Sequence, residues 1–181
     1  MDVDEQPRRV MADSNVLIAG VLKPRWFFEF LSHAIRGDFQ LILAPQTVAE
    51  VLRWAETKGG RRKDALEFFL VTCRFELAPD PGPAEVQAHT ALVRDVTDVP
   101  VALSAIKARV DYLVTNDDDF YAEDTRAELK GHGIQVMLVG TFLAEVMGWQ
   151  GRELEAIRHR EWSDLLPLPL SDSTPMEWEV G

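Results

Sequence analysis

Tyr112-Leu113-Val114-Thr115-Asn116-Asp117-Asp118-Asp119-Phe120 decides how this chain folds. Its first three residues are aromatic, aliphatic and β-branched, and a helical pattern precedes them, as expected for a short central strand of a parallel sheet. The strand runs straight into three carboxylates. Acidic side chains at the carboxyl end of a strand lie where open α/β sheets place their active sites. Three adjacent carboxylates also repel one another unless a cation or a solvated loop offsets the cost. The segment is therefore a metal site or an acidic turn, and the choice rests on acids elsewhere in the chain.

Outward from that stretch, Arg9-Val10-Met11-Ala12-Asp13 reads as a strand of the same kind, apolar and ending on a carboxylate, with Ser14-Asn15-Val16-Leu17-Ile18 turning into helix. Pro24 suits a first helical position, and the segment Arg25 to Arg36 carries Trp26, Phe27, Phe30, Leu31 and Ile35 at helical spacing before Gly37. Phe39–Ala44 predicts a second strand. Pro45 opens a helix to about Thr57, with Val48, Val51 and Leu52 on one face and Gly59-Gly60 as its stop. A helix up to Cys73, a short strand over Phe75–Ala78, a Pro-rich loop over Pro79–Pro83 and a helix over Ala84–Arg94 follow. Asp98 stands as N-cap of an Ala-rich helix over Val99–Arg109, with Pro100 in its first turn. After the Tyr112 strand come a short helix near Asp124–Lys130, a strand over Gly133–Val139 and a helix over Thr141–Met147. Strands alternating with helices imply an α/β protein, a three-layer α/β/α sandwich with a central parallel sheet of about five strands. The pattern weakens from Gln150, which divides the chain into an acidic N-terminal arm (1–7), one domain (8–149) and a C-terminal extension (150–181).

With 181 residues and 46% hydrophobic content the chain suffices for one domain with a substantial core. No run of eighteen apolar residues marks a membrane span, and the acidic start lacks the basic and apolar regions of a signal peptide. Cys73 is the single cysteine and lies in an apolar helical run, so a buried thiol and a cytoplasmic location are expected. The net charge of −11 argues against broad nucleic-acid binding. The distribution of that charge matters more than its sum. Residues 1–7 carry −3 and residues 150–181 carry −4, while residues 8–149 hold sixteen bases against twenty acids. Four metal-bound acids would leave that core balanced, so a nucleic-acid substrate is not excluded.

Each candidate acid has a plain structural alternative. Asp13 suits the N-cap of the helix that follows it, Glu50 a solvated position between core residues of its helix, and Asp98 an N-cap. Together they say more. In a parallel sheet Asp13 and Asp117 share the carboxyl edge, with strands about 5 Å apart. Asp98 starts the helix that leads back to the strand of Asp117, and Glu50 lies within the first turns after the second strand. Four converging carboxylates without cationic partners are costly, and oxygen-only ligands select hard ions such as Mg²⁺ or Mn²⁺.

Four pieces carry a family resemblance: strand-Asp13-Ser14-Asn15-Val16-Leu17, the helical Glu50, Asp95-x-x-Asp98-x-Pro100, and Tyr112-Leu113-Val114-Thr115-Asn116-Asp117-x-Asp119-Phe120. In order and spacing, over roughly residues 9–149, the chain resembles a PIN domain. The Gly133-Ile134-Gln135-Val136 strand and the Thr141-Phe142-Leu143 helix are similar to the family's closing unit. The resemblance implies a metal-dependent ribonuclease, often the toxin of a VapC-type toxin–antitoxin pair, using one or two Mg²⁺ or Mn²⁺ ions to activate water for in-line attack on RNA. It assigns catalysis and metal binding to Asp13, Glu50, Asp98 and Asp117. Asn15 is implied to orient the first aspartate, Thr115 to set a hydroxyl beside the site, and Asp119 to act as an auxiliary acid. Ser14, where threonine is common, and Asn116, where a small residue or serine is frequent, depart from the pattern.

Other readings fit less well. Ser14-Asn15 and Gly140-Thr141 stand where a receiver-type phosphoacceptor needs an acidic pair and a lysine. Asn15 replaces the second acid of a haloacid-dehalogenase-like phosphatase, and Ala122 the glycine of an EF-hand loop starting at Asp117. The rival from another class is a PIN-fold binding or RNA-processing protein with weak or no nuclease activity and no antitoxin. His33, His89, His132 and His159 lack ligand spacing and are expected at the surface. Arg61-Arg62-Lys63 is the densest basic cluster, a candidate RNA contact or simply a solvated helix start. Trp26-Phe27-Phe28 exceeds what one helix face buries, so it packs in the core or meets a second copy or an antitoxin.

Overall fold

The computed structural model describes residues 6–165. Its strands are β1 (Arg9–Ala12), β2 (Gln40–Leu43), β3 (Glu76–Leu77), β4 (Tyr112–Val114) and β5 (Gln135–Met137). They pair in parallel in the order β3-β2-β1-β4-β5. The intervening helices are α1 (Ser14–Leu22), α2 (Trp26–Arg36), α3 (Pro45–Lys58), α4 (Gly60–Thr72), α5 (Pro83–Ala88), α6 (Val99–Ala108), α7 (Glu123–Gly131), α8 (Val139–Glu145) and α9 (Gly151–Ala156). This is the expected three-layer α/β arrangement.

Alternation along β1, β2, β4 and β5 builds two cores, because successive side chains leave opposite faces of a sheet, while both residues of β3 are exposed. Val10 and Ala12 join Leu41, Leu43, Val114 and Met137 on one side, packed by Leu17, Phe30, Val51, Leu66 and Phe142 from the helices. Met11 joins Ile42, Leu113 and Val136 on the other, against Ala102 and Ala105 of α6, Leu129 of α7, and Phe120. Phe30 lies 5.1 Å from Phe39 and 5.5 Å from Phe142 between ring centres. Each fully buried side chain of this size contributes about 1.5–3 kcal/mol. Both cores converge on β1, whose Val10, Met11 and Ala12 are fully buried.

Several expectations need correction. Pro24 lies in the turn between α1 and α2 and is not a helical residue; Gly37, at φ 76°, does end α2. The inner face of α3 is Thr47, Val51 and Ala55, with Val48 half-buried, whereas Leu52 is 42% exposed. The helix expected over Ala84–Arg94 is only α5, and residues 89–95 run as turns and bends. His33 is not a surface residue: Nδ1 meets Asp38 at 2.6 Å and Nε2 accepts from Trp149 Nε1 at 2.9 Å. His89, His132 and His159 are exposed, as expected. Cys73 is buried, and burial pushes its thiol up to about 11.

The weakly patterned residues after Gln150 pack on the first helical pair. Trp26 Nε1 donates to the Leu154 carbonyl at 2.7 Å, and the Phe28 ring meets Trp162 edge-on at 5.3 Å. Arg160 pairs with Glu29, and Glu161 accepts from Lys23 and Arg25. The surplus aromatic surface of α2 is thus partly covered by the chain itself. Residues 1–5 and 166–181, with most of the acidic arm and Trp178, lie outside the described residues.

α1 and α2 approach closely at Gly20. A Cβ there would lie 2.5 Å from Leu31 Cδ1 and 3.0 Å from the Phe27 carbonyl oxygen. Gly20→Ala is expected to lose about 1–3 kcal/mol of stability through overpacking, outweighing the helix-propensity gain. Urea denaturation measures it, and a stabilised variant would contradict the close approach.

Candidate metal centre

Asp13 is the residue at which β1 ends and α1 begins. Its backbone N–H still bonds β4, donating to the Val114 carbonyl at 3.2 Å. The side chain caps α1 through Oδ1, which accepts the Ser14 N–H at 2.6 Å. Oδ2 accepts from Asn15 Nδ2 at 3.0 Å and from Thr115 Oγ1 at 3.0 Å. Capping and site roles, alternatives in the sequence, are compatible in one side chain. A carboxyl group only 5% exposed needs these donors to remain ionised.

Thr115, fully buried, organises the other strand end. Its hydroxyl donates to Asp13 and accepts the Asp117 N–H at 3.0 Å, and its carbonyl accepts from Tyr121 Oη at 3.0 Å. Asp117 Oδ1 accepts the Asp119 N–H at 2.9 Å, starting the 3₁₀ turn over Asp118–Tyr121. Register delivers the pair: Ala12 lies opposite Val114, so Asp13 and Thr115 follow side by side.

Glu50 and Asp98 arrive from helices. Gln46 Nε2 donates to Glu50 Oε1 at 3.0 Å and to the Thr97 carbonyl at 2.6 Å. The 3₁₀ turn Val96–Asp98 is capped by Asp95, whose Oδ1 accepts from Thr97 N at 2.9 Å and Thr97 Oγ1 at 2.8 Å. Asp98 holds the N-cap position of α6 but makes no side-chain capping bond. Its carboxylate is therefore free of the structural role that the sequence offered it.

Burial first, then Asp13, Asp117, Asp95 and Glu50 in that order, push the Asp98 carboxyl up to about 7. Asp13 is also raised, by burial and by Glu50 and Asp117, against the lowering effect of the Ser14 N–H and the Thr115 hydroxyl. These acids share one field. Among the described residues, no ion pair engages Asp13, Glu50, Asp98 or Asp117, while Arg94 lies against Asp119. The tight group of three is Asp95, Asp98 and Asp119, with oxygens within 4.8 Å of one another. Asp95 was not among the expected ligands; its spacing from Asp98 was the available signal. An all-oxygen, anion-rich donor set fits a hard divalent cation. Arg61, Arg62 and Lys63 lie instead in the first turn of α4, beyond the Gly59-Gly60 turn, where Lys63 is held by Glu56 at 2.6 Å and Glu67 at 3.7 Å while Arg61 and Arg62 are exposed.

A family model described as PIN domain matches residues 9–119. Among solved structures, PAE2754 from Pyrobaculum aerophilum is similar at 20% identity and a TM-score of 0.53, over 78% of this chain and 97% of that one. VapBC2 from Rickettsia felis, solved bound to a DNA fragment from its promoter, is similar at 15% identity and a TM-score of 0.50, over 72% and 98%. At such identities the likeness is one of fold. No curated protein matches the chain.

Asp98 titrates at about 7 when folded and near 3.8 when unfolded, so folding takes up a proton between those values. Its contribution favours the folded state below about pH 4 and is lost as pH rises through 7. For a half-exposed group the effect, discounted for solvent screening, is about 1–2 kcal/mol. In chelator, Asp98→Asn is expected to be more stable than the parent at pH 8 by that amount, with the gap closing toward pH 5. Urea titrations at both pH values check it; a gap independent of pH would refute the assignment.

Proposed function

The chain belongs to the PIN-domain family, and on that premise we propose that it is a divalent-metal-dependent ribonuclease, the toxin of a toxin–antitoxin pair. The observation that supports the reading is Asp98, grouped with Asp95 and Asp119 within 4.8 Å and raised by burial and the nearby charges of Asp13, Asp117 and Glu50. Among the described residues no cation is paired to Asp13, Glu50, Asp98 or Asp117. These residues would hold one or two Mg²⁺ or Mn²⁺ ions, with Asp119 and Asp95 beside them. Such an ion, when bound by these residues, would supply Lewis acidity for phosphodiester hydrolysis.

The chain's own residues prepare that chemistry. Asn15 and Thr115 fix Asp13 through Oδ2, and Thr115 positions Asp117 through its backbone. Asp98 must lose its proton for the site to load, so loading is coupled to proton release. His33 is engaged by Asp38 and Trp149 and has no part in the proposed chemistry. Arg61 and Arg62 are the proposed contacts to the RNA backbone, with Lys63 weakened for that role by its two glutamates.

The toxin assignment draws on the VapC-type resemblance and on the likeness to VapBC2, a structure that contains promoter DNA. By that reasoning an antitoxin protein and a second copy of the chain are the proposed partners, in the cytoplasm. Among the described residues no helix is long and apolar enough to cross a membrane.

Purified protein with Mn²⁺ is expected to cleave single-stranded RNA, and chelator to stop it. Asp98→Asn and Asp117→Asn should each lower the rate by about a hundredfold or more, since metal stabilisation of several kcal/mol corresponds to that factor. Metal binding without cleavage would favour the binding-protein reading, and cleavage undiminished in Asp98→Asn would refute the site.

A further inference from the structure

Gln46 belongs to no piece of the family resemblance, yet it spans the gap between two halves of the centre. On one side Thr115 ties Asp13 to the backbone of Asp117. On the other, Glu50 rides on α3 while Asp98 stands at the start of α6, and neither the sheet register nor a shared turn connects them. The Gln46 amide makes that connection, donating from Nε2 to Glu50 Oε1 at 3.0 Å and to the Thr97 carbonyl at 2.6 Å. A primary amide nitrogen carries two N–H donors, so both bonds form at once. Gln46 stands one turn before Glu50 on the same helical face, and Pro45 fixes where that turn begins. Thr97 lies in the turn that Asp95 caps and Asp98 closes.

We propose that Gln46 is a positioning residue of the metal centre, holding the Glu50 carboxylate against the Asp98 turn so that acids from two separate helices meet one ion. The inference rests on the metal-dependent reading above. A glutamate on a helix surface loses rotamer freedom when it ligates an ion. Gln46 restricts that freedom beforehand, and its bond to Oε1 leaves Oε2 for the ion. Hydrogen-bond partners of metal-ligating carboxylates typically change metal affinity by about 10–100-fold.

Mn²⁺ titration calorimetry on the whole chain tests this, with Gln46→Met, Glu50→Gln and the double variant, alongside melting in chelator. Gln46→Met keeps the side-chain length and removes both donors. It is expected to weaken Mn²⁺ binding by about tenfold or more. The metal-free melting temperature should move by no more than about 4 °C, as for loss of one modest hydrogen-bond contribution. In the Glu50→Gln background Gln46→Met should have no further effect on Mn²⁺ affinity, because it acts through Glu50. Unchanged Mn²⁺ affinity with a lowered melting temperature would make Gln46 a residue of the fold alone. Additive losses in the double variant would equally overturn the proposal. Should the parent bind Mn²⁺ but cleave no RNA, the ribonuclease reading fails and Gln46 keeps its role; should the parent bind no Mn²⁺, both fall.

Discussion

Like charge crowded at one edge of a parallel sheet is the constraint on which the rest of this structure depends. The edge is where a doubly covered α/β sheet leaves space for a ligand, because the helices cover its faces. β1 and β4 are neighbours in register there, so their terminal residues cannot avoid one another. Asp13 is nearly fully buried at that point. Burial raises its carboxyl pKa, and the Ser14 N–H and the Thr115 hydroxyl act against that, with the Asn15 amide as a third donor. Those donors orient it as well as solvate it. The threonine hydroxyl then accepts the Asp117 N–H, so one small side chain donates to the first acid and anchors the backbone of the second.

Such an edge costs stability, and the remainder of the fold offsets the cost. Two apolar clusters meet on β1, and β1, β2, β4 and β5 contribute to both by simple alternation, whereas β3 is an exposed edge. The segment after Gln150 adds to one side, with ion pairs from Glu161 and Arg160 to the α1–α2 region and Trp162 against Phe28. The Arg160–Glu29 pair is the more enclosed, with side chains 16% and 14% exposed. Screening diminishes it less than the fully exposed pairs of the helix surfaces.

How much of this was legible in the sequence depended on how local the signal was. Strand-then-acid at Ala12-Asp13 and Val114–Asp117 was legible because a few adjacent residues encode both the strand and its ending. Proline at the start of α3 and glycine after α2 were legible for the same reason. Leu52 was misplaced because helical spacing permits several faces, and the neighbour against which α3 packs decides among them. The segment 84–94 has helical composition, yet only its first turns fold as helix, a preference overridden in the tertiary structure. His33 was missed because its partner Trp149 is distant in sequence. Gln46 was missed for a similar reason, since the Thr97 carbonyl has no sequence signature.

Asp95 and Asp98 show how differently two neighbouring acids can be engaged. Both precede α6, and either is a chemically reasonable cap. The chain gives the capping bonds to Asp95, exposed and with its pKa lowered by the Thr97 N–H and hydroxyl. Asp98, one turn on and half-buried, makes no capping bond; it groups with Asp95 and Asp119, and burial and the charges of Asp13, Asp117, Asp95 and Glu50 raise its carboxyl pKa. A carboxyl so placed is costly when empty-handed and ionised, and a proton or a divalent cation relieves it. The two compete for the same oxygens. The group that most disfavours the metal-free centre at neutral pH is thus also the one whose charge a cation would most effectively compensate. On the metal-dependent reading proposed above, this division between neighbouring aspartates bears on both the stability of the edge and its readiness to take an ion.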